Sequence, residues 1–164
     1  MNKTRRKGHQ KGFTIIELIL SIVILGIVGV FTFSFLGNNM SAYVKEQQHK
    51  LLYDQGRLAM KYIAREIRDA NRNANINTPG GGQELQFTRV HPSSTNIHYK
   101  FSGTSLTRND NSVGGSYYIL AGNVSAFNAS YNSGTQIVTV ELVLTLTGVG
   151  TVKFRTEIYP RNSV

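Results

Sequence analysis

The chain has 164 residues, a formal net charge of +9 and no cysteine. This length suits one globular domain with an anchor, and not two domains. The lack of cysteine excludes disulfides, thiolate metal sites, a cysteine nucleophile and a lipid-modified cysteine. Five positive charges, at Lys3, Arg5, Arg6, Lys7 and Lys11, precede an apolar segment, and their removal would lower the net charge from +9 to +4. The high isoelectric point is therefore a weak reason to expect nucleic-acid binding, because such a basic flank first indicates membrane topology.

The first predicted element is an apolar helix from Phe13 to Gly37, in which Glu17 is the only charged residue. A helix of about 25 residues crosses a hydrocarbon core of ~30 Å. A secretory signal peptide has a shorter apolar core and ends in a small-x-small site, which the stretch from Phe33 to Asn39 lacks. A plain single-pass anchor fits the hydropathy but does not explain Glu17, since a carboxylate is costly inside a bilayer.

The motif at the start of this helix is Gly12-Phe13-Thr14-Ile15-Ile16-Glu17. Behind a basic leader, it resembles the class III signal of type IV prepilins and pseudopilins, and all six positions match the family pattern. The resemblance implies that a membrane-embedded prepilin peptidase cuts between Gly12 and Phe13 and N-methylates the new amino terminus of Phe13. It also implies that the apolar helix is retained and becomes part of a filament core.

For Glu17, the resemblance implies a partner in the N-terminal amine of an adjacent subunit. A buried carboxylate is tolerated only when it is paired, and such a pair would set the axial register of the filament more than its stability. The alternative is a carboxylate that reaches the membrane surface from a position near the helix end.

The partners implied by the resemblance are the prepilin peptidase, other pilins or pseudopilins that contact the N-terminal helix, and an inner-membrane assembly platform. The basic residues before the helix favour a cytoplasmic leader and a periplasmic head. We therefore expect a single-pass inner-membrane protein that later enters a pilus or pseudopilus, in the periplasm or at the cell surface. No cofactor is expected.

Residues 38–72 are predicted to continue as an amphipathic helix, because apolar residues recur at spacings of three, four and seven. One apolar line is Val44, Leu51, Leu58 and Tyr62, and a neighbouring line is Leu52, Ala59, Ile63, Ile67 and Ala70. A bend is predicted at Gly37-Asn38-Asn39. The segment from Gln55 to Arg68 resembles the end of the long helix in minor pilins of the PilW and MshO kind and in J-type pseudopilins.

A basic line on the same helix consists of Arg57, Lys61, Arg65 and Arg68. These side chains could contact DNA phosphates. The simpler interpretation is a solvated face or a subunit contact, partly balanced by Asp54, Glu66 and Asp69.

Residues 73–164 are predicted to form an antiparallel β head, which with the long helix gives an α+β type IV pilin fold. A loop is predicted from Asn71 to Gln83. Alternating apolar residues then predict strands, with hairpin turns at Asn132-Ser133-Gly134 and Gly148-Val149-Gly150. The strand positions are Leu85 and Phe87 with Val90; Ile97, Tyr99 and Phe101; Ser116 to Leu120; Val138 to Leu146; and Val152 to Ile158. The predicted divisions are a cleaved leader at 1–12, a transmembrane and filament-core helix at 13–37, an amphipathic helix at 38–72 and the head at 73–164.

No motif in the chain points to catalysis or to a metal. The four histidines, His9, His49, His91 and His98, are scattered, and the two in the head flank a predicted turn without an acidic companion at ligand spacing. Asn109-Asp110-Asn111 carries too little charge for calcium and predicts a turn. The acids of the head form no sequence-local pair suited to acid–base catalysis. These acids are Glu84, Asp110, Glu141 and Glu157.

Three features refine the predicted role within the family. The chain cannot form the disulfide common in major pilins, and residues 13–37 contain no proline; both favour a minor, low-copy subunit. Retention of Glu17 argues against the K-type tip pseudopilin. We therefore expect a non-enzymatic minor pilin-like subunit that enters a pilus or pseudopilus or primes its assembly. The alternatives are a DNA-binding minor pilin of a DNA-uptake pilus and a J-type pseudopilin of type II secretion.

Overall fold

A computed structural model describes residues 12–71, 76–90, 95–110 and 116–161, and of Asn38 the backbone alone. Residues 1–11 of the predicted leader, with His9, and also His91 and Asn111, lie outside the described residues. The chain divides into two compact units between Val44 and Lys45. Helix α1 runs from Ile15 to Arg68 and contributes to both units, and its backbone stays helical through the predicted bend at Gly37-Asn38-Asn39.

The described part of the first unit, residues 12–44, consists of the N-terminal part of α1 and the three residues before it. The large apolar side chains from Phe13 to Leu36 are between 51% and 81% exposed. In the described part of the chain, α1 is the one helix apolar and long enough to cross a membrane. Its polar side chains bond back to carbonyls one turn earlier, for example Ser21 Oγ to Glu17 O at 2.7 Å and Thr32 Oγ1 to Val28 O at 2.8 Å. This local pairing satisfies hydroxyl groups that lipid could not.

In the second unit, α1 buries one of the two predicted apolar lines. Ile63 and Ile67 are fully buried, whereas Leu51 and Leu58 are 69% and 67% exposed. Val44, at the end of the first unit, is also exposed, and Tyr62 is half-buried. The predicted stripe was therefore too broad, because the β head covers only one side of the helix.

The helix ends at Arg68, four residues before the predicted boundary. Backbone N–H groups from other segments of the second unit donate hydrogen bonds to its last carbonyls. The backbone N–H of Arg161 donates to Arg68 O at 3.1 Å, and that of Val90 donates to Asp69 O at 2.9 Å. These bonds satisfy carbonyl groups that every helix end leaves without an internal partner.

The head contains two antiparallel sheets, where the sequence predicted one. Sheet 1 has the order β1-β2-β3-β4 and sheet 2 the order β5-β6-β7. The strands are β1 (Glu84–Arg89), β2 (Thr95–Ser102), β3 (Ser105–Asp110), β4 (Tyr118–Ala121), β5 (Val124–Asn132), β6 (Ile137–Leu146) and β7 (Gly150–Ile158). Strands β3 and β5 were not predicted, because their polar residues hide the alternation, and β4 begins two residues later than expected. A short 3₁₀ helix, Gly80–Gly82, lies inside the predicted loop.

The predicted alternation in β6 is confirmed. Val138, Val140, Leu142 and Leu144 are fully buried and join residues of α1 and sheet 1 in one apolar cluster. Both predicted hairpin turns are present. Asn132 Oδ1 accepts bonds from the N–H groups of Gly134 and Thr135 at 2.9 and 3.1 Å, and Gly148 has a φ of 78°, which glycine adopts without strain.

Candidate functional site

The Gly12–Phe13 bond lies in exposed, non-helical backbone just before α1. Gly12, Phe13 and Thr14 precede the first helical residue, Ile15. Phe13 is 80% exposed, and a Cβ added at Gly12 would meet no atom within 4 Å. Nothing in the described chain therefore obstructs access to this bond.

Thr14 caps the helix, a role that the sequence analysis missed. Its carbonyl accepts bonds from the N–H groups of Glu17 and Leu18 at 3.1 and 3.2 Å, and its Oγ1 lies 3.4 Å from Glu17 N. Threonine followed three residues later by glutamate is the capping-box pattern, and that pattern could have identified Thr14 as the N-cap. Glu17 thus lies in the first turn, where a carboxylate is favourable near the positive end of the helix dipole.

The side chain of Glu17 is exposed and forms no ion pair within the described part of the chain. Its apolar neighbours Ile16 and Leu18 are also exposed, at 77% and 57%. This single acid therefore projects from an apolar helix surface that the described part of the chain does not cover.

A second glutamate on α1, Glu66, has the opposite environment. It is only 2% exposed, so it does not balance the basic line at the surface as predicted. Arg108 binds it through two bonds, Nε to Oε2 at 3.0 Å and Nη2 to Oε1 at 2.8 Å. Arg89 Nη1 lies 3.2 Å from Oε1, and the Tyr99 hydroxyl donates to Oε2. This buried cluster joins α1 to three strands of sheet 1.

The ionisation of the partners of Glu66 follows from their surroundings. Burial, together with the negative charge of Glu66, raises the pKa of the Tyr99 hydroxyl well above its ordinary value. Burial disfavours the charged form of Arg108, but its hydrogen bonds to Glu66 and Asp110 outweigh this effect and raise the pKa of the guanidinium. Tyr99 therefore stays neutral and Arg108 stays charged, which is the combination that a buried carboxylate requires.

The basic line on α1 is at the surface, with all four of its side chains exposed. Tyr62 lies beside it. The Arg65 guanidinium is 5.0 Å from the centre of the Tyr62 ring, and that of Arg108 is 5.5 Å from it. Since Glu66 faces inward and is already paired, it does not neutralise the basic line.

His98 differs from its predicted surroundings. It lies within β2 rather than beside a turn, and it has an acidic companion, with Nε2 3.0 Å from Glu84 Oε2. Asp110 was expected in a turn but is the last residue of β3, where it binds Arg108 Nη1 at 2.8 Å. Within the described ranges, no group of three or more histidine and acidic residues could hold a metal ion.

Residues 7–33 match the family model of the prokaryotic N-terminal methylation motif. This match covers the N-terminal segment only, where the chain resembles the precursors of type IV pilins and pseudopilins. No curated protein matches it significantly. The motif therefore supports a pilin or pseudopilin precursor but leaves the subtype open.

The motif explains why the exposed residues around Gly12 and Phe13 matter chemically. The family motif implies cleavage by a prepilin peptidase, N-terminal methylation and assembly with other pilins. The apolar helix agrees with membrane anchoring and association with a pilus. Proteins of the pilin family are structural subunits, and the exposed apolar helix is the feature of this chain that corresponds to that role.

Proposed function

We propose that the protein is a minor structural subunit of a pilus or pseudopilus. A prepilin peptidase cuts it between Gly12 and Phe13 and methylates Phe13. The chain is held in the inner membrane, with its leader in the cytoplasm and its head in the periplasm, and it then enters the filament or primes its assembly. It is not an enzyme.

The observation that carries this proposal is the exposed apolar surface of the first unit. Covering such side chains releases about 25 cal/mol for each Å² removed from water. Lipid can cover the helix while the subunit waits in the membrane, and helices of other subunits can cover it in the filament. A filament subunit needs a segment that can be covered first by lipid and later by the helices of other subunits.

The position of Glu17 supports burial of this helix among the helices of other subunits in a filament. In a membrane, a carboxylate in the first helical turn lies near the interface and stays hydrated. In a filament core it would be dry, and the amine of a neighbouring Phe13 supplies an opposite charge. That pair forms only at the correct axial stagger, so Glu17 sets the register.

The lack of cysteine and of proline in residues 13–37 supports a low-copy role. These features differ from those common in major pilins. They agree with a subunit that joins the filament in small numbers, at a position that the bulk subunit does not occupy.

Mass spectrometry of the N-terminus of the native protein tests the processing step. We expect methyl-Phe13 as the first residue. Gly12→Val should block cleavage, whereas the matched Gly26→Val should not, because Gly26 lies within the helix and away from the bond. An intact Met1 leader on the native chain would refute the proposal.

The role of Glu17 is tested by Glu17→Val and by the matched Ser21→Val, which removes a polar group one turn further along. We expect both variants to insert into the membrane and only Glu17→Val to be impaired in filament incorporation. Normal incorporation of Glu17→Val would exclude the register role.

A DNA-binding minor pilin is the second candidate, and the inward position of Glu66 favours it. Four exposed basic side chains along one helix face provide phosphate contacts, and their affinity should fall steeply with salt. We expect neutralisation of Arg57, Lys61, Arg65 and Arg68 to glutamine to abolish DNA retention, while Lys153→Gln with Arg155→Gln on β7 leaves it intact. No retention by the native protein at low salt would eliminate this candidate.

A further inference from the structure

The proposed filament role does not use a polar cavity on sheet 1. The cavity has a volume of about 380 Å³ and lies over β1 and β2. This volume falls within the range of ~300–1,000 Å³ that is usual for small-molecule sites. The polar side chains that line it are those of Asn77, Gln86, Thr88, Asn96 and His98.

Hydrogen bonds hold the walls of this cavity in place. The backbones of Asn77 and Gln86 exchange two bonds, of 2.9 and 2.8 Å. Thr88 Oγ1 donates to Asn96 Oδ1 at 2.8 Å, which fixes the orientation of that carboxamide. The Asn96 Nδ2 group carries two further donors. The cavity thus presents amide groups at defined positions, a condition for selective binding.

An aromatic ring beside the cavity is fixed in the same way. The Tyr117 hydroxyl lies 2.9 Å from His98 Nδ1, and the two rings pack edge to face with centroids 5.7 Å apart. The side of His98 that carries Nε2 is 3.0 Å from Glu84 Oε2 and 3.2 Å from Gln86 Nε2. Tyr117 nevertheless remains 46% exposed. Tyr117 does not line the cavity itself, but it borders the lining residue His98 and offers an exposed ring next to it.

The charges near the cavity are paired with each other. Lys100 Nζ lies 3.2 Å from Glu84 Oε1. Burial opposes ionisation of Glu84, but hydrogen bonds from His98 and Lys100 outweigh it and lower the pKa of this carboxyl. Among the described residues that line the cavity there is no lysine or arginine, so an anionic ligand would meet no fixed counter-charge in its walls. A metal ion finds no cluster of three ligating side chains in the described ranges.

We propose that this cavity binds a neutral carbohydrate. Each sugar hydroxyl both donates and accepts a hydrogen bond, which the carboxamides of Asn77, Gln86 and Asn96 match. The C–H face of a sugar ring packs on an aromatic face, and Tyr117 provides one. The inference does not depend on cleavage at Gly12.

The experiment is saturation-transfer NMR on the full chain in a detergent without a sugar headgroup. The probes are D-glucose, D-galactose and N-acetyl-D-glucosamine, with inorganic phosphate as the charged comparison. We expect saturable binding of at least one sugar, with a dissociation constant on the order of 1 mM. Asn96→Ala and Tyr117→Ala should each weaken binding by about tenfold or more, equivalent to ~1.4 kcal/mol.

The matched control is Ser130→Ala, which removes a hydroxyl from the open polar cavity of about 530 Å³ on sheet 2. It should bind sugar as the native chain does. Asn96 and Tyr117 are exposed, so we expect their variants to keep the native circular dichroism spectrum. If the spectrum of Tyr117→Ala changes, the binding test rests on Asn96→Ala alone. The proposal is overturned if no sugar gives a saturable signal, if phosphate alone binds, or if Asn96→Ala binds sugar with unchanged affinity.

Discussion

The two units of this chain place their apolar surface in opposite ways. In the first, the large apolar side chains from Phe13 to Leu36 are all more than half exposed. In the second, residues of α1 and both sheets bury a shared apolar cluster. The second unit therefore carries its own source of hydrophobic stabilisation, whereas the first depends on lipid or on other subunits.

The two glutamates of α1 show the same contrast in their charges. Glu66 receives two arginines and a tyrosine from the strands. Glu17 has no ion-pair partner in the described part of its chain. Where the fold supplies the counterion, removing one member of the pair leaves an uncompensated buried charge and destabilises the fold, whereas Glu17 can pair with a group outside the described chain.

The largest expected effect on stability comes from removing Glu66, the carboxylate that pairs with Arg89 and Arg108. Glu66→Ala removes the shared carboxylate from the half-buried Arg89 and the buried Arg108, of which only Arg108 keeps a second acid among the described residues, Asp110. Breaking a buried ion pair costs about 3–5 kcal/mol. We expect the free energy of unfolding of the head to fall by this amount, measured by urea titration of the full chain in detergent with near-UV circular dichroism.

Glu17→Ala is the matched control for this prediction. It removes the same group from the same helix, and we expect the free energy of unfolding of the head to stay within about 0.5 kcal/mol of the native value. Equal losses in the two variants would show that the contrast between the units is wrong.

Substitutions of glycine by alanine test the difference in packing between the two units. A Cβ at Gly56 would overlap the ring of Phe154 and lie 3.0 Å from Leu144 Cδ1, whereas one at Gly29 meets no atom within 4 Å. Alanine is preferred over glycine in a helix by up to ~1 kcal/mol, but overpacking costs about 1–3 kcal/mol. We expect Gly56→Ala to destabilise the head in a urea titration and Gly29→Ala to leave it unchanged. A more stable Gly56→Ala variant would mean that Phe154 moves aside at little cost.

The parts of the fold that could be predicted from the sequence are those with strong periodicity. The apolar helix and β6 repeat one kind of residue at a fixed spacing, and both were located correctly. β3 could not be found, because its buried residues include Arg108 and Asn109 as well as Leu106. Burial of a charged residue depends on partners that are distant in the chain, and spacing along one strand does not encode them.

The same reasoning applies to the site residues. The role of Thr14 as N-cap could have been predicted, because its capping pattern involves only residues three positions apart. The partners of Glu66 could not, because Arg108 lies 42 residues away in the sequence. The burial of Glu66 itself could have been noticed, since it lies three residues after Ile63 and four before Ala70, on the same face of the helix as the buried line. The acidic companion of His98 was missed for the same reason as the partners of Glu66, since Glu84 is on the neighbouring strand.

The N-terminal cap provides a smaller test within the first unit. Thr14→Val keeps the shape of the side chain but removes Oγ1, and loss of a cap costs roughly 0.5–2 kcal/mol. We expect faster amide exchange at Glu17 and Leu18, measured by NMR in detergent. Thr14→Ser should restore the native exchange rates. Unchanged exchange in Thr14→Val would mean that the 3.4 Å contact with Glu17 N contributes nothing.

The smallest expected effect is an acid-dependent loss of stability in the head. The lowered pKa of Glu84 means that its ionised form is favoured by folding, so its contribution is present above the ordinary value of 4.5 and is lost as the pH falls through the lowered value. Glu84 is 22% exposed, so solvent screens part of this interaction and a modest effect is expected. Urea titrations at pH 7 and pH 3 should show a smaller difference between the two pH values for Glu84→Gln than for the native chain. Equal differences would mean that the pairs of Glu84 with His98 and Lys100 do not couple to folding.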